Sequence, residues 1–151
     1  MSQVRVLDFE ELPFRSHEEM DALTPAEREG TTSRQIFDGV DGGLQLFEVE
    51  IAPNVRVDSH AHLADEIIVV TRGSIVLGSR KCEVGAAVLI PARTLYGFSG
   101  GPQGGRFLNF RATADNSYLT SPELLKLRRK ARLDVIESGA ALGGHAPDSR
   151  L

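Results

Sequence analysis

Three residues with the means to hold a metal ion fall within seven positions: His60, His62 and Glu66, in the run VRVDSHAHLADEIIVVTRG over residues 55–73. On a strand, successive side chains alternate faces. His60 and His62 therefore point the same way, about 6.6 Å apart along the chain. Glu66 has the same parity and opens the apolar run Ile67 to Val70. A turn over residues 63–65 would return it beside the two imidazoles. Two neutral nitrogens and one carboxylate are the facial triad of non-haem iron, and the same donors suit zinc, manganese or nickel. The competing reading is two surface histidines on a loop edge. The chain has four histidines in all, and placing half of them as HxH with an acid in reach favours one divalent ion, Fe2+ first. Three protein donors leave open positions on such an ion, as catalysis requires.

The run His60-x-His62, Glu66, Gly73 resembles the first motif of the cupin superfamily, and Gly85 followed by Pro91 resembles the second. The resemblance implies an all-β fold: a cupin-type double-stranded β-helix, or jelly-roll barrel, with a metal on its inner wall and a small-molecule substrate in its cavity. It also implies where this chain departs from the pattern. The glycine that opens the first motif is Asn54, and a glycine of the second is Arg93. The second-motif histidine falls at Tyr96 and the asparagine after it at Gly100. The implied ligands are thus His60, His62 and Glu66, three rather than four. Tyr96 reads either as a hydrogen-bond donor assisting proton transfer or as a core aromatic beside Phe98. A phenol ligates only when deprotonated, and its ordinary pKa is about 10. The planar fork of Arg93 suits a carboxylate or phosphate on a substrate.

These residues need strands to position them, and residues 34–112 read as β throughout. The expected strands are Arg34–Phe37, Leu44–Ile51, Val55–His62, Glu66–Thr71, Ser74–Leu77, Lys81–Glu83, Ala86–Ile90, Leu95–Phe98 and Arg106–Ala112. DGVDGG over residues 38–43 is a turn, and SGGPQGG over residues 99–105 is a glycine-rich loop. Many short strands with glycine turns argue for a barrel or sandwich rather than βαβ units. Phe47, Val49 and Ile51 share one face of their strand, Glu48 and Glu50 the other. Ala86–Ile90 is apolar on both parities, which suggests cover on both sides. Arg106, Asn109 and Arg111 have mixed parities, so only some can face inward. Ile68, Phe98 and Phe110 should make the inner wall apolar.

Residues 1–33 read as an N-terminal segment packing on the barrel. Val4, Val6 and Phe9 suggest an edge strand; Ser16 with Glu19, and Thr24-Pro25-Ala26-Glu27, are helix-capping patterns. Residues 113–139 contain a C-terminal α-helix packed by its leucines, with a basic face over Lys126–Arg132 left to solvent. Residues 140–151 read as a flexible tail in which His145 takes no ligand role.

A chain of 151 residues is expected to form one domain, and its net charge of −4 gives no basic field for nucleic acid. No apolar run is long enough for a membrane span. The start does not read as a secretion signal, and the lone Cys82 fits a reducing cytoplasm, as a small residue near the core. Edge strands at the N-terminus suggest a homodimer. The function these readings favour is a metal-dependent enzyme acting on a small oxygenated organic molecule, an Fe(II) oxygenase first. The alternatives are an isomerase, lyase or cyclase using another divalent ion, or a non-catalytic binding module.

Overall fold

The computed structural model describes residues 3–17, 20 and 22–142. Its strands are β1 (Arg15–Ser16), β2 (Thr31–Asp38), β3 (Gln45–Ile51), β4 (Arg56–Ala61), β5 (Glu66–Leu77), β6 (Arg80–Glu83), β7 (Ala87–Ile90), β8 (Tyr96–Arg111) and β9 (Leu119–Thr120). Two helices, α1 (Pro25–Gly30) and α2 (Ser121–Leu142), flank them. All pairings are antiparallel, in the order β1-β2-β3-β8-β4-β9, with β5 joined to β6, β7 and β8. The sheet curls into a jelly-roll barrel, as expected. Its core is the inward parity of several strands: Ile51, Val57, Ile68, Val70, Ile75, Phe98 and Phe107.

β8 is the hub. Its later residues, 105–111, lie between β3 and β5; its first residues, 96–99, lie between β4 and the far end of β5. The glycine-rich stretch 99–105 is therefore part of a 16-residue strand, not the separate loop its composition suggests. The register against β5 slips between Gly73 and Ile75, so residues 101–104 leave that ladder while the strand bends. Glycine makes the bend possible. A Cβ at Gly73 would overlap the Gly104 carbonyl oxygen.

Other expectations are corrected by parity and cover. Phe110 pairs with Ile67 on the outer face, and Phe107 takes the inner position instead. Asn109 and Arg111 face inward and are buried. β7 is covered on one side only, since Leu89 is 67% exposed. Val4 and Val6 lie in no strand; Asp8 caps a 3-10 turn over Phe9–Glu11 instead. The N-terminal segment packs on β2 and β3 through Arg34, which pairs with Glu48 (Nε to Oε2, 2.7 Å) and lies against the rings of Phe9 and Phe14. Cys82 is buried in β6. Thr24 and Glu27 form the expected capping box of α1, with Pro25 at its first turn. The Ser16 pattern is not tested, because Glu19 lies outside the described residues, as do residues 143–151.

α2 meets the body mainly near its start, against β4 and β9, and Arg128 one turn further on donates to Arg93 O at 3.2 Å. Leu124 is fully buried there, but Leu125, Leu133, Val135 and Ile136 are 52–71% exposed. The leucines therefore do not pack this helix along its length. Among the described residues, no helix is long and apolar enough to cross a membrane.

Gly73 and Gly78 have matching backbones, φ +60 and +59, but Gly78 has no atom within 4 Å of an added Cβ. We expect Gly78→Ala to cost about 1 kcal/mol, the left-handed penalty alone. Gly73→Ala should cost about 2 kcal/mol more by urea unfolding, because a backbone must move. Equal losses would show that the strands do not need this close approach.

Candidate active site

His60 owes its position to an irregularity in β4. Val57 pairs with Phe98 and His60 with Tyr96, so three steps on β4 match two on β8. One extra residue makes a β-bulge, which re-aims the side chains that follow it. Asp58 and Ser59 are both exposed, while Val57 and His60 both face inward although three positions apart. Gly97, opposite, leaves room for the bulge: a Cβ there would crowd Val57 O and Ser59. After the bulge the alternation resumes, and His60 and His62 lie on one face with ring centroids 4.9 Å apart.

Both imidazoles are buried, and each Nδ1 is committed to a backbone carbonyl. His60 Nδ1 donates to Asp58 O at 2.8 Å, and His62 Nδ1 donates to Ser117 O. That fixes one tautomer for both and leaves each Nε2 as a bare lone pair. Burial pushes the His60 pKa down to about 4. Burial, and then the Arg111 cation, lower that of His62. Both rings are therefore neutral at pH 7, the form in which imidazole accepts a proton or binds a metal.

Glu66, fully buried at the start of β5, lies with Oε1 3.9 Å from His62 Nε2. Its Oε2 accepts from Asn109 Nδ2 at 2.7 Å and from Arg111 Nη2 at 3.1 Å. Burial would raise its pKa, but His62, the Tyr96 hydroxyl, Asn109 and Arg111 outweigh that and hold it below its ordinary value. Glu66 Oε1 is buried without a hydrogen bond that meets ordinary geometry, and so is Asn109 Oδ1. Buried oxygens rarely stay unpaired. The donor set thus suits a divalent ion in kind: two imidazole nitrogens in the right tautomer and one spare carboxylate oxygen. Among the described residues, however, no three His, Cys, Asp or Glu side chains are gathered closely enough to hold an ion as they stand. Asn109 and Arg111 hold Glu66 by its other oxygen, behind the pocket wall.

Tyr96 stands against His60, ring centroids 4.7 Å apart, with its hydroxyl near enough to Glu66 to help lower that carboxyl's pKa. Burial and the Glu66 charge push its pKa above the ordinary phenol value, so it carries its proton. Its ring also stacks on Phe98 at 6.2 Å, the aromatic contact that one reading of the sequence expected. Arg93 is different. Its side chain is exposed and does not line the cavity. It has φ +61 and gives its backbone N–H to His62 O at 2.7 Å, so it serves the site through its main chain. Asn54, the other departure from a family glycine, keeps φ +60. The arginine within the pocket is Arg111.

The strap between β8 and β9 supplies the residues that sequence reasoning missed. Asp115 accepts from Ser117 N at 2.9 Å and from Ala64 N at 2.7 Å, which holds the Ser117 carbonyl over His62. Tyr118 stacks on His60, centroids 4.2 Å apart and planes 10° off parallel. The strap has no regular periodicity; the pairing of β9 with β4 at His60 and Ala61, and the bonds of Asp115 and Ser117 to the backbone of residues 63 and 64, bring it here. The resulting cavity holds about 430 Å³. Phe47, Val49, Val57, Phe98 and Phe107 form an apolar wall; His60, His62, Tyr96, Asn109 and Arg111 form a polar end.

The His60 shift makes a stability prediction for the metal-free protein. Its folded pKa of about 4 lies below the ordinary 6.5. The unfolded chain therefore binds more protons between those values, and stability falls as pH drops from 6.5 towards 4. The loss should approach about 3 kcal/mol at 1.36 kcal/mol per unit. Thermal melts of wild type and His60→Gln across that window test it. An identical slope in the variant would contradict the assignment.

No protein-family model matches the sequence, and no curated protein does. Solved structures do match. The polyketide cyclase RemF from Streptomyces resistomycificus is 23% identical, with a TM-score of 0.64 over 79% of this chain and 86% of that one. An RmlC-like cupin from Ralstonia eutropha is 13% identical, with a TM-score of 0.64 over 97% and 93%. The DMSP lyase DddQ from Ruegeria pomeroyi is 13% identical, with a TM-score of 0.60 over 74% and 62%. At these identities the likeness is one of fold. With the curled antiparallel sheet and the inward histidines, it establishes that this chain folds as a cupin.

Proposed function

We propose that the chain is a divalent-metal-dependent enzyme that performs proton-transfer chemistry on a small oxygenated organic molecule, as a lyase, isomerase or cyclase does. The observation that carries this reading is the pairing of two neutral imidazoles, each with a free Nε2, with the unpaired buried oxygen of Glu66. His60, His62 and Glu66 would hold the ion, with a shift of Glu66 away from Asn109. Bound there, it would supply Lewis-acid polarisation of a substrate oxygen. The apolar wall would seat the carbon skeleton. Asn109 Oδ1 is free to accept a hydrogen bond from it. Tyr96, protonated and in contact with Glu66, would deliver or hold the proton at its phenolic oxygen. The Arg93 side chain, being exposed, has no part in this scheme.

A polyketide cyclase and a lyase among the structural neighbours are compatible with chemistry of this class. An Fe(II) oxygenase is the second reading, favoured by the two-nitrogen, one-carboxylate donor set. The phenol–carboxylate pair favours the first, because it gives the pocket a proton donor that dioxygen chemistry does not require.

Elemental analysis of purified protein should find about one divalent ion per chain. His60→Ala and His62→Ala should each weaken Co2+ binding at least ~10-fold. Tyr96→Phe and Arg93→Ala should keep Co2+ affinity within about threefold, because neither is a ligand. Substoichiometric metal that His60→Ala leaves unchanged would instead indicate a non-catalytic binding module. Oxygen uptake with iron-loaded protein and small acids or diketones would favour the oxygenase.

A further inference from the structure

The bulge in β4 leaves the Asp58 N–H off the ladder with β8, and a residue from elsewhere in the fold takes it up. Glu27, on α1, is 1% exposed. Its Oε2 accepts from Thr24 N at 2.6 Å and closes the capping box; its Oε1 accepts from Asp58 N at 2.5 Å. Asp58 in turn offers its carbonyl to His60 Nδ1. A cap needs only the first of these contacts. A fully buried carboxylate is costly unless its oxygens are bonded, so the second contact ties α1 to the bulge.

We propose that Glu27 is a positioning residue: it pins the bulge at Asp58 and so holds His60 in the tautomer that turns a bare Nε2 into the pocket. The inference deepens the proposed function and rests on it only for the purpose the tautomer serves. His62 provides the comparison within the molecule, because Asp115 and Ser117 hold it from the other side of the pocket. Removing Glu27 should therefore disturb one histidine and spare the other.

Imidazole nitrogen NMR of the metal-free full chain reads this directly, with His60→Ala and His62→Ala to assign the signals. Wild type should show a single Nδ1–H tautomer at both rings. Glu27→Ala, or the similarly sized Glu27→Leu if Ala fails to fold, removes the acceptor for Asp58 N and should give mixed tautomers at His60 while His62 stays as it was. Co2+ affinity by calorimetry should fall about 10-fold or more. Thr24→Ala removes the reciprocal cap bond, from Glu27 N to Thr24 Oγ1, and leaves the Asp58 contact; it should lose stability but keep the His60 tautomer. A single His60 tautomer in the Glu27 variant would overturn the proposal. So would equal changes at both histidines, or the same change in Thr24→Ala. Wild type that binds no Co2+ would refute the metal reading, while the tautomer result would still decide the role of Glu27.

Discussion

A buried imidazole has one N–H that must be bonded and one lone pair that need not be. Here backbone carbonyls settle which nitrogen is which. Asp58 and Ser117 each accept a hydrogen bond from an Nδ1–H, and each Nε2 is thereby left with a free lone pair. Were either carbonyl displaced, its ring could flip or exchange tautomers, and the pocket would lose a donor. Most of the local architecture serves those two oxygens. A bulge presents one and a strap between β8 and β9 presents the other. A buried carboxylate holds each in place, Glu27 for Asp58 and Asp115 for Ser117.

The charge around the histidines follows from the same arrangement. With both rings neutral, the pocket's fixed charges are the Glu66 carboxylate and the Arg111 guanidinium, 3.1 Å apart. Arg111 also gives a hydrogen to the Asp115 carbonyl. It therefore braces the strap and restrains Glu66 at once. Such a restraint keeps the carboxylate ionised in a buried place, and it also explains why Glu66 stands back from the imidazoles. The two oxygens of Glu66 divide accordingly. Oε2 is bonded to the protein, and Oε1 is still unpaired.

Much of the barrel was legible from residue order. Alternation identified the inward face of β3, and the pairing of His60 with His62 followed from parity. Glu66 comes within 3.9 Å of His62 after the turn, but the three side chains are not gathered as they stand. What failed did so where one residue changed the count. SGGPQGG has the composition of a loop, yet it runs inside β8, because missing side chains let two backbones pass closely. Phe110 and Phe107 exchanged roles because the register of β8, not its composition, decides which faces inward. The bulge at Asp58 cannot be read from sequence, since DS is as acceptable in a regular strand. Arg93 misled for a related reason: its type suggests an anchor, but the turn after Pro91 leaves its side chain in solvent. Arg111, Asp115, Ser117 and Tyr118 reach the pocket through long-range pairing, for which no local pattern exists. α2 shows the limit of helical spacing, which finds a helix without saying what covers it.

The central claim is that three side chains converge on one cation. Anomalous diffraction from crystals soaked in Co2+ measures this most directly. A single strong peak is expected about 2.0–2.3 Å from His60 Nε2, His62 Nε2 and a Glu66 oxygen. No peak in the pocket, or one whose ligands omit both histidines, would contradict it.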